Sequence, residues 1–214
     1  MLLFLLIKKD FILIKKYVLI MIGVCLFFPL FILWRLPEYA GIMSLVLTTI
    51  FSVFMLLQYV SLKEHQYTKA SALLCAAPYP RSLLVIAKYC FCITIFVFCC
   101  AVFAIQTLLL PDLGGFRAEA SAMLFLVIAA FLGIYLPAQY YFGYEKTKFF
   151  FFIIIMASPF FFPQLLKLEN SRGFLESALG RPLLLTCTAA FLGAVILIIS
   201  ALVSVRIYAK ADLV

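Results

Sequence analysis

Seven cysteines (Cys25, Cys75, Cys90, Cys92, Cys99, Cys100 and Cys187), one histidine (His65) and nine carboxylates are the side chains in this sequence that could bind a metal, close a disulfide or move a proton. Such chemistry needs several of these groups converging at short, motif-like spacing. All the cysteines except Cys75 instead fall inside long apolar runs, where free cysteine behaves as a small apolar residue, and His65 lies outside those runs in a polar break. No Ser-His pair, carboxylate pair or metal triad can be assembled within the runs. A G-x-x-x-x-G-K-[ST] loop, whose backbone would cradle nucleotide phosphates, is also missing from the sequence. No catalytic, cofactor-binding or metal-binding residue is therefore proposed for this chain.

The elements that carry these residues are apolar throughout. Of 214 residues, 67% are hydrophobic and 12% charged, with a mean hydropathy of +1.21, far from the balance of a soluble domain. Six runs are each near the length that crosses a hydrocarbon core: about 17–34, 41–60, 86–110, 120–142, 149–166 and 183–205. They are too long, and too uniformly apolar, for barrel strands, so the expected fold is an all-α integral membrane protein forming a single domain over 1–214. Lys8, Lys9, Lys15 and Lys16 interrupt the first apolar stretch, which argues against a cleaved signal peptide and for a chain starting near Met1.

Charge sets the expected orientation. Twelve of the 17 lysines and arginines fall on one side of the six runs, leaving Arg35, Arg117, Lys167, Arg172 and Arg181 on the other. The richer side is expected to be cytoplasmic and to hold both termini. Topology alone then accounts for the net charge of +8, and no nucleic-acid partner is implied. Away from the span ends, the runs hold no ionisable group of the kind that ion-coupled transporters keep near the midplane. Gln58, Gln106, Gln139 and Ser158 are the polar residues left inside, best suited to bonding helix to helix.

Three segments are neither span nor short turn. In "LIKKDFILIKKY" (6–17), Lys8, Lys9, Lys15 and Lys16 fall within an arc of roughly 120°, with Leu6, Ile7, Phe11, Leu13 and Ile14 around the rest. That pattern predicts an in-plane helix over about 4–16 whose lysines meet anionic lipid headgroups at about 1 kcal/mol each; Asp10 points away from the lysine arc. In "SLKEHQYTKASALLCAAPYPR" (61–81), Tyr67, Ala70, Leu73, Leu74 and Ala77 form a helical stripe, with Glu64, His65 and Lys69 off it. A short amphipathic helix over about 64–77 is expected, ended by Pro78 and Pro80, with Arg81 completing a stiff corner. The third, "PQLLKLENSRGFLESALGRP" (163–182), predicts an external helical segment.

The order of these parts resembles the compact six-helix permease subunits of bacterial type-2 ABC exporters. "LIKKDFILIKKY" is similar to the family's N-terminal elbow, and "KEHQYTKASALLCAAPYPRSLLVIAKY" to its middle segment, although relatives often carry two acidic residues where this chain has "KEH". "FGYEKTKFFFFII" and "SVRIYAKADL" resemble its last two cytoplasmic boundaries. The resemblance implies a bacterial cell-membrane exporter subunit that pairs with a second permease, a copy or a relative. It also implies two copies of a separate ATPase subunit that bind ATP and Mg, and a hydrophobic or amphipathic cargo such as a peptide, antibiotic or lipid. The 64–77 segment would be the coupling helix, with Tyr67, Leu73 and Leu74 as apolar anchors in the ATPase cleft and Glu64, His65 and Lys69 at its rim. A membrane scaffold that recruits a cytosolic partner without transporting anything is the competing expectation.

Overall fold

The computed structural model describes residues 2–35, 40–66, 81–110, 113, 118–149, 153 and 182–210, and no strand occurs among them. Helix α1 (Leu2–Leu13) gives way at Ile14 to α2 (Lys15–Arg35), followed by α3 (Ala40–Gln66), α4 (Arg81–Leu109), α5 (Ala118–Phe142), a helical segment at 144–149, and α6 (Pro182–Lys210). Five helices, α2 to α6, are long and apolar enough to cross a membrane. The expected run at 149–166, apart from residues 149 and 153, and the expected external segment before Pro182 lie outside the described residues.

Two expected boundaries move. The second run was expected to stop at Val60, but α3 continues through "SLKEHQ" to Gln66, so Glu64 and His65 sit in its last turns and not at the start of a separate helix over 64–77, whose remainder lies outside the described residues. The extension contains no glycine or proline and is rich in good helix formers, leaving nothing to stop the helix. Likewise α4 begins at Arg81, five residues ahead of the expected start at 86.

Helix α3 is the innermost element, with 67% of its span buried, and Val53, Phe54, Leu56, Leu57 and Val60 form a continuous buried face. It packs chiefly on α2 and α4, while α5 and α6 form the most extensive pair in the molecule. Lipid tails are as apolar as leucine, so helices associate in a bilayer through close packing and interhelical hydrogen bonds. Close packing between α5 and α6 comes from glycine. A Cβ on Gly193 would lie 2.8 Å from the Phe125 ring, and one on Gly133 would lie 3.0 Å from Ile196.

The hydrogen bonds answer two prolines. Pro29 in α2 and Pro137 in α5 carry no N–H, so each leaves the carbonyl four residues earlier, on Cys25 and Gly133, without its helical donor. In hydrocarbon such an acceptor needs a partner from elsewhere in the protein. Gln106 of α4 donates Nε2–H to the Cys25 carbonyl at 3.1 Å, with a longer contact to Leu26 at 3.3 Å. Ser200 of α6 donates Oγ–H to the Gly133 carbonyl at 3.0 Å.

If Gln106 serves the carbonyl that Pro29 exposes, the two residues are energetically coupled. Gln106→Leu should destabilise the protein by about 1 kcal/mol in the presence of Pro29 and by markedly less in a Pro29→Ala background. A double-mutant cycle on melting in detergent measures the difference, and additive effects would refute the coupling.

Candidate functional site: a buried charge clasp and a hydroxyl relay

The segment 67–80 leaves α3 and enters α4, and the two helices are clasped on either side of it. Glu64, in the last turns of α3, meets the Lys88 ammonium of α4 at 2.6 Å. Lys9 of α1 reaches the other Glu64 oxygen at 3.7 Å and the Asp10 carboxylate at 3.1 Å. Two cations thus face two anions. Asp10 and Lys88 are buried, at 2% and 7% exposure, and the Lys88 ammonium also lies 5.3 Å over the Tyr140 ring of α5, a cation–π contact. Tyr140 in turn packs against Tyr208 of α6 at 5.3 Å.

Burying charge is costly unless every charge is matched, and the quartet meets that condition. Desolvation pushes the Asp10 carboxyl above its ordinary value of 3.8, the Lys9 charge pulls it back, and the negative charge of Glu64 raises it again. Asp10 is the member of the quartet with the least intrinsic reason to be buried.

The next residue along α4 works on the other half of the bundle. Tyr89 Oη lies 2.6 Å from Ser200 Oγ and 2.8 Å from Ser204 Oγ. A carbonyl can only accept, so the bond from Ser200 to Gly133 fixes the direction of the chain: Ser204 donates to Tyr89, Tyr89 to Ser200, and Ser200 to the Gly133 carbonyl. Adjacent residues of α4 therefore hold α1, α3 and α5 through Lys88, and α5 and α6 through Tyr89. A third link ties the end of α3 to the segment at 144–149, where His65 Nε2 lies 3.5 Å from Glu145, an ion pair when the imidazole is protonated, and its ring 5.5 Å from that of Tyr144.

The residues singled out from the sequence divide accordingly. Lys8, Lys15 and Lys16 are exposed, but Lys9 turns inward to Asp10 and Glu64, whose carboxylates lie within ion-pair distance. The buried stripe of α1 is Leu6 and Asp10, continued by Ile14 at the junction with α2, and its exposed side mixes Lys8 with Phe4 and Ile12. Glu64 engages Lys88 and Lys9 within the chain, and His65 is exposed. Tyr67, Lys69, Leu73, Leu74, Pro78 and Pro80 lie outside the described residues; Arg81 opens α4, and its side chain is likewise outside them. Sequence reasoning missed Asp10, Lys88, Tyr89, Tyr140, Ser200 and Ser204. The available signal was a carboxylate off the lysine arc and a lysine just inside an apolar run.

A family model described as ABC-2 family transporter protein matches residues 5–209. No curated protein and no solved structure matches the chain.

Removing Lys88 leaves Glu64 and the buried Asp10 to share one cation, Lys9. Lys88→Met should cost about 3 kcal/mol, the low end for a broken buried pair because Glu64 is partly exposed, and Glu64→Gln added to it should recover most of the loss. Melting in detergent tests both, and an unrescued double variant would mean that Lys88 acts through packing alone. The raised Asp10 value also has a pH consequence. The folded protein holds this proton where the unfolded chain has released it, so its stabilising effect is full below pH 3.8 and is lost as pH rises through the raised value. Asp10→Asn should flatten the decline in melting temperature just above pH 3.8, and an unchanged profile would exclude Asp10 as its source.

Proposed function

The chain belongs to the ABC-2 transporter family, and on that premise we propose that it is the path-forming permease of an ATP-driven exporter whose coupling element is the segment between α3 and α4. The observation that carries this reading is the clasp: Glu64 before the segment and Lys88 after it are held together at 2.6 Å, so a load on the segment reaches both helices at once. Hydrolysis belongs to a separate ATPase subunit that binds ATP and Mg, since this sequence has no phosphate-cradling loop. Two such subunits serve a pair of permeases, this chain with a second copy or a related one.

The arrangement in the membrane follows from the charge pattern. Six spans, the sixth formed by residues about 149–166, run through a bacterial cytoplasmic membrane with both chain ends and the 67–80 segment in the cytosol. Helix α1 lies along the membrane surface as an elbow, with Lys8, Lys15 and Lys16 toward anionic headgroups and Lys9 latched to the bundle.

The mechanism is mechanical. Closure of the ATPase dimer displaces the coupling helix, gripped through Tyr67, Leu73 and Leu74, with His65 and Lys69 at the rim. The stiff Pro78–Pro80–Arg81 corner passes that displacement to α4, whose Lys88 and Tyr89 hold all the neighbouring helices but α2. The bundle therefore tilts as linked halves, and the path between paired permeases opens outward for a hydrophobic or amphipathic cargo.

Leu73→Asp separates docking from folding. The variant should insert and melt as the wild type does, yet lose co-purification with the ATPase and at least about tenfold of cargo-stimulated ATP turnover, a loss of about 1.4 kcal/mol of coupling. Undiminished stimulation would rule the segment out as the coupling element.

A further inference from the structure

Helices α3 and α5 run in the same direction, as two contacts establish. Phe54 meets Phe131 edge-on, with ring centroids 6.2 Å apart, and further along both chains His65 meets Tyr144. Between these contacts, Gln58, Ser61 and His65 lie on the same face of α3 as Phe54, within an arc of about 60°. On α5, Tyr135 and Gln139 follow Phe131 at four-residue spacing. The seam between the helices is thus apolar and aromatic at its inner end, and polar from Gln58 and Tyr135 outward to the rim.

Its polar atoms are not matched by each other. Gln58 Oε1, Ser61 Oγ and Gln139 Oε1 are all buried and have no hydrogen-bond partner among the described residues, although Ser61 and Gln139 are only 2% and 8% exposed. Elsewhere the hydroxyls of Ser200 and Tyr89 are paired, and Gln106 pairs its Nε2 though not its Oε1; the seam is where several such unpaired atoms fall along one line. Direct contact between α3 and α5 is also sparse beside the α5–α6 and α2–α3 pairs. At the outer end the seam reaches His65 and Glu145, both well exposed.

We propose that the α3–α5 seam binds a short file of water continuous with the aqueous phase at the His65–Glu145 end and closed inward by the Phe54–Phe131 pair. The geometry suits it. Gln58 lies about 10 Å along the helix axis from His65, at 1.5 Å per residue, a depth that three or four waters span. A buried water needs two to four polar partners, and the two amides and one hydroxyl supply acceptors and donors along the file. Such a file makes this seam the weakest of the interior helix contacts, because water can exchange partners where packed side chains cannot. It lets α3 slide against α5 without stranding polar groups in hydrocarbon. The inference rests on these side chains and holds whatever the role of the coupling segment.

Tyr135 and Tyr89 provide an internal comparison in the unaltered protein, since each is 4% exposed, the first on the seam and the second in the hydroxyl relay. Hydroxyl radicals generated from water by a brief X-ray pulse should oxidise Tyr135 at least fivefold faster than Tyr89, read by peptide mass spectrometry of the detergent-solubilised protein. Ser61→Cys and Gln139→Cys should in addition react with a small aqueous thiosulfonate at least tenfold faster than Val53→Cys, which is fully buried off the seam. Equal oxidation of the two tyrosines would overturn the proposal, as would labelling of both seam cysteines no faster than that of Val53→Cys.

Discussion

A polar group taken into a bilayer must find its partner within the protein, and most of the structure can be understood as the working out of that constraint. Two prolines each remove a backbone donor in mid-helix, and a side chain from another helix replaces it in both cases. Because the replacement comes from a neighbour, each proline fixes which helix lies alongside and at what height. Pro29 requires α4 beside α2 at Gln106, and Pro137 requires α6 beside α5 at Ser200. Residues usually regarded as helix breakers here specify the packing.

The same constraint shapes the end of the bundle at Glu64 and Lys88. Four charges from α1, α3 and α4 gather where each can see an opposite sign, and the aromatic face of Tyr140 covers the ammonium that lies deepest. Tyr89 begins the hydroxyl relay one residue later, so a single turn of α4 bonds to both sides of the bundle. Charge holds α1 and α3 through contacts that depend on distance more than on angle, whereas the directed relay holds α5 and α6 in register. Movement of α4 would therefore be followed loosely by one group and closely by the other. That asymmetry suits a helix meant to move its neighbours by unequal amounts.

Helices, their approximate limits and their apolar character were legible in the sequence, because runs of 18 residues or more in hydrocarbon leave the backbone little alternative. Gln106 could be recognised as a helix-bonding residue by type, whereas Gln58 and Gln139, of the same type, leave Oε1 without a partner among the described residues. What could not be read was the partner. Nothing in "KKDF" says that Lys9 turns inward while Lys8 does not, since both lie on the same arc; the choice is made by Glu64, fifty-five positions away, once α3 extends past its expected end. Lys88 was hidden for the opposite reason. By sequence it stands near the start of an apolar run, where a lysine can reach water, but the early start of α4 at Arg81 puts it two turns deep.

Length and burial therefore act together. Had α3 stopped at Val60, Lys88 would lose the carboxylate it pairs with at 2.6 Å, and Asp10 would be the one anion left for two cations. The six residues "SLKEHQ" carry the carboxylate to where both lysines can reach it, and His65 to where it meets Glu145 and Tyr144. A helix extension that looks, by composition, like a polar break after the span is what brings Glu64 to the interior charges. It also sets the rim of the bundle one turn or more beyond the apolar boundary, so that the segment at 67–80 departs from a rigid ledge and returns to α4 within reach of the same clasp.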